Sequence, residues 1–291
     1  MKILVVAGHP ADMFDHCGGT LLKHLKNGDE VTCVSMTQGL RVHDEVISDV
    51  FRERIDQFTT KEIEKIIQER QKVKHREVME ACKLFGITDI RFLSYDDEIL
   101  TVTPDMISKL AKMIREVRPD IIITHWPYQN GGISDHHAVT GQITHFAIEA
   151  ASGVNFEDKY PASRTAQLFY MLCPTDLCAY DAIAQGRTAR ITHLVDVTDV
   201  IDLKVKAIAT MRSQKYDTPG YAKKTAEQWN GNFGIRVRLP YAEGFMAAKA
   251  EVYDLLPVSD HLKWLARADE HELLRQTSKL QAMDVDVQER E

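Results

Sequence analysis

Histidine and aspartate follow the first apolar run of the chain at a spacing suited to metal binding. The run Lys2–Ala7 is short and rich in β-branched residues, and the turn G-H-P-A-D that follows it contains His9 and Asp12. Imidazole nitrogens and carboxylate oxygens are common ligands of catalytic zinc, and three protein ligands leave a fourth position open for water. Pro10 stiffens this turn and favours both side chains pointing the same way. The turn therefore supplies two of the ligands that a mononuclear catalytic site needs.

A third ligand is expected from a second polar segment that also follows an apolar run. The run Ile121–Thr124 is followed by His125, a Gly-Gly turn and the sequence S-D-H-H, in which His136 and His137 open an apolar helix. Because open α/β sheets bind ligands at the carboxyl ends of their strands, the two polar segments are expected to meet. An isolated H-x-x-D is nevertheless common, and Asp135 could simply cap the helix. The spacing alone therefore leaves a metal site and purely structural roles open.

Regular elements must bring these two segments together. Short apolar runs alternate with amphipathic segments, which is typical of parallel strands joined by helices. We therefore predict an α/β fold of the Rossmann-like, doubly wound type, with a mostly parallel sheet and helices on both faces. The predicted strands of this half are Lys2–Ala7, Glu30–Met36, Ile90–Leu93 and Ile121–Thr124, and the predicted helices are Leu21–Lys26, Arg70–Phe85 and Pro104–Val117.

Two polar stretches are predicted to be loops beside the active site. Residues 37–65 are weakly periodic, which indicates a long loop with a short helix. Residues 216–240 are rich in Gly, Asn and Lys, as a loop that covers a substrate would be. We predict one catalytic domain over residues 1–257 and a charged, helical C-terminal tail over residues 258–291, which is a candidate surface for homo-oligomer formation.

Composition restricts the class of partner. The chain has 291 residues, of which 44% are hydrophobic, enough for a large buried core. Asp and Glu outnumber Lys and Arg by 43 to 36, and the resulting net charge of -7 argues against nucleic acid and anionic membranes as partners. No apolar run approaches the roughly 18 residues of a transmembrane helix, and the N-terminal run is too short for a signal peptide. We therefore expect a cytoplasmic enzyme or binding protein that acts on a small molecule.

The arrangement of these motifs resembles the PIG-L/LmbE family of zinc-dependent de-N-acetylases. The first strand is followed by G-H-P-A-D, five residues and G-G-T, where the family has A-H-P-D-D-E followed by G-G-T. The family's second block, T-H-x-P…G-H-P-D-H, is similar without a gap to Thr124 through His136. Further similarity at Tyr241–Phe245 extends the resemblance over roughly residues 1–250.

This resemblance implies both a cofactor and its ligands. Carried over position by position, it implies zinc held by His9, Asp12 and His136. Two histidines and one carboxylate also suit Fe(II) or another divalent metal. The activity implied is hydrolysis of an N-acyl group by metal-activated water.

Two departures from the family pattern concern proton transfer. The family's general base corresponds to Ala11, and its oxyanion-stabilising histidine corresponds to Ile133; neither residue can carry out that role. Loss of a general base typically costs about 10²- to 10⁴-fold in rate. One branch of the family, similar to the 4-oxalomesaconate hydratases, also has Ala before the metal-binding Asp, in the pattern H-S-A-D.

Three functions therefore stay open. The first is hydrolysis of an amide or other C–N bond of a small N-acylated substrate, as the family implies. The second is addition of water to an unsaturated carboxylic acid, which Ala11 and several arginines favour. The third is binding of a metal or ligand without catalysis.

Several residues are candidates for the missing proton transfer and for substrate binding. A metal-ligating histidine usually donates its second N–H to a carboxylate, which Asp135 could provide. Arginines can bind a substrate carboxylate through two parallel hydrogen bonds. The candidates for proton transfer are Asp15, His43, Glu45, Asp135 and His137, and those for substrate binding are Arg41, His125, Arg212, Arg238 and Glu243.

Overall fold

One sheet organises the described part of the chain, which comprises residues 1–129, 134–177 and 189–278 of a computed structural model. Its strands are β1 (Lys2–Ala7), β2 (Glu30–Thr37), β3 (Asp89–Tyr95), β4 (Ile121–His125), β5 (Gln167–Met171), β6 (His193–Asp196) and β7 (Ala242–Ala247). They lie in the order β3-β2-β1-β4-β5-β7-β6. Neighbours among β1 to β5 pair in parallel, whereas β7 runs antiparallel to both β5 and β6. The predicted mostly parallel α/β fold is confirmed.

Helices cover both faces of this sheet. Side chains alternate along β1, so that Ile3 and Val5 join one core and Leu4 and Val6 join the other. The helices are α1 (Asp12–Asp15), α2 (Gly18–Lys26), α3 (Glu45–Arg54), α4 (Thr60–Phe85), α5 (Pro104–Val117), α6 (His136–Ser152), α7 (Ile201–Ala209), α8 (Tyr221–Ala226), α9 (Asn232–Ile235), α10 (Asp260–Leu265) and α11 (Glu270–Thr277). The first core includes side chains of α2, α4 and α7, and the second includes side chains of α5 and α6.

The order of the strands places a ligand-binding crevice between β1 and β4. The chain winds outward in one direction from β1 to β3 and in the other from β4 to β5, so the winding reverses between β1 and β4. These two strands are parallel neighbours, and Val6 pairs with Thr124. Ligands of doubly wound sheets bind at such a reversal, at the carboxyl ends of the strands.

Both stretches predicted as loops are largely helical. Within residues 37–65 lie α3 and the start of α4, whose N-cap Thr59 forms a capping box with Glu62. The first turns of α4 are mostly exposed and polar, which removes the apolar period that a sequence pattern needs. Within residues 216–240 lie α8, a π-helical turn at Glu227–Gly231 and α9.

Some predicted features lie outside the described residues. They are the Gly131-Gly132 turn, Ile133 and the end of the tail beyond residue 278. Within residues 258–278 the chain forms α10 and α11, each with a side-chain N-cap. Over the described ranges, no helix is both long enough and apolar enough to cross a membrane.

Candidate metal centre

Turns at the carboxyl ends of β1 and β4 form the candidate metal centre. The backbone N–H of Gly8, which follows β1, donates to Nε2 of His125, the last residue of β4, at 3.1 Å. The turn then enters α1, which begins at Asp12. His136 and His137 are the first two residues of α6. The first residues of α1 and α6 and the last residue of β4 thus lie at one end of the sheet.

Asp12 is the carboxylate at the centre of these side chains. Its Oδ2 accepts a hydrogen bond from the backbone N–H of His9 at 2.7 Å and lies 3.1 Å from Nε2 of His125. The same oxygen is 3.3 Å from Nε2 of His137 and 3.4 Å from Nδ1 of His9. Burial disfavours the charge, but the surrounding imidazoles outweigh it and hold the pKa of Asp12 well below its usual range. Asp12 is therefore ionised, as a metal ligand must be.

The ring of His9 lies between His136 and His137. Its Nε2 is 3.2 Å from Nδ1 of His136, and its Nδ1 is 3.1 Å from Nε2 of His137. Ligand atoms of His9, Asp12 and His137 all lie within 4.8 Å of one another. The structure thus brings His9 and Asp12 together with His137, a predicted proton-transfer residue. The predicted third ligand, His136, faces Nε2 of His9, the ring nitrogen opposite the one that faces Asp12.

The donor atoms of this cluster fit a divalent cation. A neutral imidazole carries one N–H and one lone pair, so His9 can donate to only one of the two histidines that face it. Nδ1 of His137 is buried and has no hydrogen-bond partner among the described residues. Burial disfavours the imidazolium, yet Asp12 raises the pKa of His137 to about 9, which shows that this position favours positive charge. Imidazoles around a carboxylate suit zinc and also Fe(II).

Asp135 fixes the start of α6. Its Oδ1 accepts hydrogen bonds from the backbone N–H groups of His137 at 2.9 Å and Ala138 at 3.4 Å, which is the geometry of an N-cap. The same oxygen lies 3.6 Å from Nδ1 of His137. Asp135 was predicted to support His136, but it caps the helix and lies beside the ring of His137.

His43 is the residue of the β2–α3 connection that reaches the cluster. Its ring meets the ring of His9 edge to face, with centroids 4.6 Å apart. Burial, and secondly His9, lower the pKa of His43 to about 3, so that the ring is neutral at pH 7. Glu45, predicted for the same role, instead forms an ion pair with Lys215.

Asp15, at the end of α1, is buried near Asp12. Burial, and secondly the charge of Asp12, raise the pKa of Asp15 to about 7. Its Oδ1 has no hydrogen-bond partner in the part of the chain that the structure describes. The side chain could exchange a proton near neutral pH, but it is only 6% exposed.

Glu243 anchors the N-terminus of α2. Its two carboxylate oxygens accept hydrogen bonds from the backbone N–H groups of Gly19 at 2.8 Å and Thr20 at 2.7 Å. Nζ of Lys204 donates to the same carboxylate at 2.7 Å, and both side chains are buried. A negative charge is favourable here because the first N–H groups of a helix have no intrahelical acceptor. Both oxygens of Glu243, predicted to bind substrate, are therefore engaged inside the protein.

The three arginines predicted to bind substrate are each paired with a carboxylate. Arg41 donates from Nε and Nη2 to the two oxygens of Asp96, at 3.1 and 2.8 Å. The other pairs are Arg212 with Glu80 at 2.6 Å and Arg238 with Glu270 at 3.6 Å. A substrate carboxylate would have to compete with these partners.

Residues that were not predicted complete the surroundings of the cluster. His16 follows Asp12 by four residues, so both lie on one side of α1, and Nδ1 of His16 is 3.1 Å from Sγ of Cys173. Gln129 places its Oε1 3.0 Å from Nδ1 of His125 and donates from Nε2 to Sγ of Cys173 at 3.2 Å. The spacing of Asp12 and His16 could have revealed His16, whereas the other contacts join positions far apart in the sequence.

Comparison with known proteins gives the family. The PIG-L profile, described as GlcNAc-PI de-N-acetylase, matches residues 4–148. A Bacillus cereus protein named probable N-acetyl-alpha-D-glucosaminyl L-malate deacetylase 2 is 33% identical over 217 residues, which cover 73% of this chain and 83% of that protein. The chain belongs to the PIG-L family. The resemblance seen in its motifs is thereby confirmed, and the matched range contains His9, Asp12 and His136.

Two further matches have lower sequence identity. A Thermomonospora curvata protein named 1D-myo-inositol 2-acetamido-2-deoxy-alpha-D-glucopyranoside deacetylase is 28% identical over 180 residues, 52% of this chain and 55% of that protein. The chain thus matches about half the length of this relative. The crystal structure of GalB, the 4-carboxy-2-hydroxymuconate hydratase of Pseudomonas putida, superposes with a TM-score of 0.68 at 20% identity, over 88% of this chain and 99% of that chain. At this identity the likeness concerns the fold.

Proposed function

We propose that this PIG-L protein is a zinc-dependent hydrolase that cleaves an amide or other C–N bond of a small N-acylated substrate. The observation that carries the proposal is the cluster of His9, Asp12, His136 and His137 at the point where the sheet reverses its winding. The two relatives are named as deacetylases of acetamido or N-acetyl sugars, which supports an N-acyl sugar as the substrate class.

We propose that His9 and Asp12 hold the cation together with His136, as the family resemblance implies. His137, whose ligand atom lies within 4.8 Å of those of His9 and Asp12, is the alternative third ligand. A bound zinc ion polarises a carbonyl group and lowers the pKa of a water molecule. Asp12 is suited to this role because it is ionised and because the backbone N–H of His9 fixes its Oδ2 at 2.7 Å. Asp12 and His136 begin helices, and His9 lies in the short turn that joins β1 to α1.

We assign proton transfer to His43. Ala11 is buried and has no group that moves protons. Among the predicted alternatives, Glu45 is paired with Lys215 and Asp135 caps α6. His43 has its ring against His9, is partly exposed and is neutral at pH 7, so a ring nitrogen is available at the edge of the cluster. Its pKa of about 3 makes it a weak base, whereas Asp15, whose pKa is about 7, is buried.

Turnover of N-acetylated amino sugars tests this function. The zinc-loaded protein should release a free amine, and Asp12→Asn should abolish release because it removes the charged ligand. His43→Ala should lower kcat by about 10²- to 10⁴-fold with no change in zinc content. His75→Ala is the matched control, since His75 stacks on Phe92 away from the cluster. Absence of amine release from a broad panel by the zinc-loaded protein would count against hydrolysis.

Hydration of an unsaturated carboxylic acid is the second candidate function. Ala11 favours it, because the position of the family's general base carries no carboxylate, and GalB shares the fold. This reaction would remove the ultraviolet absorbance of a conjugated acid without releasing an amine. Zinc binding without either activity would instead indicate a homologue that binds its ligand without catalysis.

A further inference from the structure

We propose that Trp229 is a stacking platform that binds the sugar ring of the substrate beside the candidate metal centre. Its indole ring meets the ring of His16 edge to face, with centroids 5.0 Å apart. Trp229 lies within residues 216–240, the segment whose composition predicts a cover over the substrate. The inference rests on the proposed function, because it concerns the sugar of the N-acyl sugar proposed there.

A row of rings connects Trp229 to the candidate metal centre. The ring of His16 meets those of His125 and His137, with centroids 5.2 and 5.6 Å away. His16 is 4% exposed, whereas Trp229 is partly exposed and can be reached from solvent. One imidazole ring thus separates Trp229 from His137. Because a pyranose ring and an imidazole ring are of similar width, a sugar whose N-acyl group meets the cation can extend to the indole.

The backbone around Trp229 is tied to the sheet. Trp229 lies in the π-helical turn between α8 and α9, and such turns are rare and frequently occur at functional sites. Within this turn Glu227 accepts a hydrogen bond from the hydroxyl of Tyr241, and Nδ2 of Asn230 donates to the carbonyl of Ala242 at 3.2 Å. Ala242 begins β7, and Tyr241 directly precedes it. The indole is therefore held in place before a substrate binds, which lowers the entropy cost of binding.

A second aromatic side chain of the same segment lies near α1. The ring of Tyr216 stacks on that of Tyr221, with centroids 4.6 Å apart. Burial, and secondly the charge of Asp15, raise the pKa of Tyr216, so its hydroxyl stays protonated. Since Asp15 directly precedes His16, Tyr216 and Trp229 lie close to neighbouring positions of the chain. The segment thus places two aromatic side chains beside the end of the helix that begins with Asp12.

An indole distinguishes a sugar from other N-acylated compounds. The C–H groups on one face of a pyranose form an apolar surface with partial positive charge, which packs on the negative face of an aromatic ring. A linear amine has no such face. A zinc ion acts on the N-acyl group alone, so it does not select between the two substrates. We therefore assign the selection of a sugar to Trp229.

Binding of an amino sugar tests the platform without turnover. The probe is glucosamine, added to the zinc-loaded full chain while tryptophan emission is recorded; ethanolamine is the matched amine without a ring. The chain has three tryptophans, namely Trp126, Trp229 and Trp264. We expect glucosamine, and not ethanolamine, to change the emission of the wild type, of Trp126→Phe and of Trp264→Phe. The change should be absent from Trp229→Phe, in which the phenyl ring still binds the sugar but gives no indole emission.

Turnover of an N-acetylated amino sugar gives a second readout. Trp229→Ala should raise KM by about 10-fold, the loss of one aromatic contact, with kcat and zinc content unchanged. Trp229→Phe should recover most of this loss. Trp264→Ala is the control, because Nε1 of Trp264 donates to Glu272 in the C-terminal helices.

The outcomes separate this inference from the proposed function. A KM that does not change in Trp229→Ala, or an emission change that persists in Trp229→Phe, would overturn the platform and leave hydrolysis intact. Absence of amine release together with an emission change that depends on Trp229 would contradict hydrolysis and support the platform. No emission change in the wild type would overturn the platform. If Trp229→Ala does not fold, the emission of Trp229→Phe decides.

Discussion

Ala11 is the residue at which this chain departs most sharply from its family. It lies between His9 and Asp12 in the turn after β1, and it is 2% exposed. Its side chain belongs to the buried apolar core on one face of the sheet, while its neighbours in the turn are candidate ligands. The departure affects proton transfer and leaves the candidate metal ligands in place, so metal binding and the choice of reaction can be examined separately.

Restoring the carboxylate that the family has at this position should increase amide hydrolysis. We expect Ala11→Asp to raise kcat/KM for an N-acetylated sugar by about 10- to 10²-fold, below the full value of a general base because a buried extra group costs roughly 1–3 kcal/mol of packing. Ala11→Asn is the matched control, since it adds the same volume without a base. Equal rates in the two variants, measured by amine release, would show that the position does not support hydrolysis in this chain.

Residues within one turn were easier to predict than residues paired across the chain. His9 and Asp12 were proposed as ligands because both follow one apolar strand within four positions. The arginines were proposed as substrate ligands because arginine can bind a carboxylate through two hydrogen bonds. Sequence spacing did not reveal their partners inside the protein; Arg212, for example, pairs with Glu80, 132 positions away. A charged residue finds its partner only when the chain folds.

At the scale of elements, the ion pair of Glu243 and Lys204 sets the position of α2. Both side chains are buried, and the carboxylate also accepts two N–H bonds at the start of that helix. Removing one member of a buried pair leaves an uncompensated charge. We expect Lys204→Met to lower the free energy of unfolding by about 3 kcal/mol, measured by urea denaturation.

The control for this pair is an ion pair on the surface. Lys109 and Asp105 are 2.8 Å apart and exposed, so Lys109→Met should lower the free energy of unfolding far less than Lys204→Met. The double variant Lys204→Met with Glu243→Gln should recover part of the loss, because it removes both buried charges. Similar small losses for Lys204→Met and Lys109→Met would contradict the anchoring role of Glu243.

Buried parallel strands were the most predictable elements, and exposed helices the least. β1 was predicted with its observed bounds, because a strand covered on both faces is a continuous apolar run. The start of α4 was missed, since its first turns face solvent, although Thr59 and Glu62 have the spacing of a capping box. β7 was also missed because it is antiparallel to β5 and so does not belong to the alternating series of parallel strands and helices.

At the scale of the whole molecule, the segment after β7 carries an uncovered apolar surface. All residues from 248 to 260 are exposed. The large apolar side chains of this segment are Val252, Tyr253, Leu255, Leu256 and Val258, with exposures from 56% to 96%. They expose on the order of several hundred Å², a size that on monomeric proteins usually marks an interaction surface.

We expect a second copy of this chain to bind this surface. Residues 248–259 form neither helix nor strand, and a two-fold axis would place the same residues of two copies against each other. We expect the protein to be a dimer by size-exclusion chromatography with light scattering, and the double variant Leu255→Asp/Leu256→Asp to be a monomer with unchanged zinc content. Ile99→Asp is the control, because Ile99 is 78% exposed but follows β3, at the opposite edge of the sheet. A wild-type monomer at tens of micromolar would show that this surface does not bind a second copy, since a stable interface would bury roughly 800 Å² per partner and persist at that concentration.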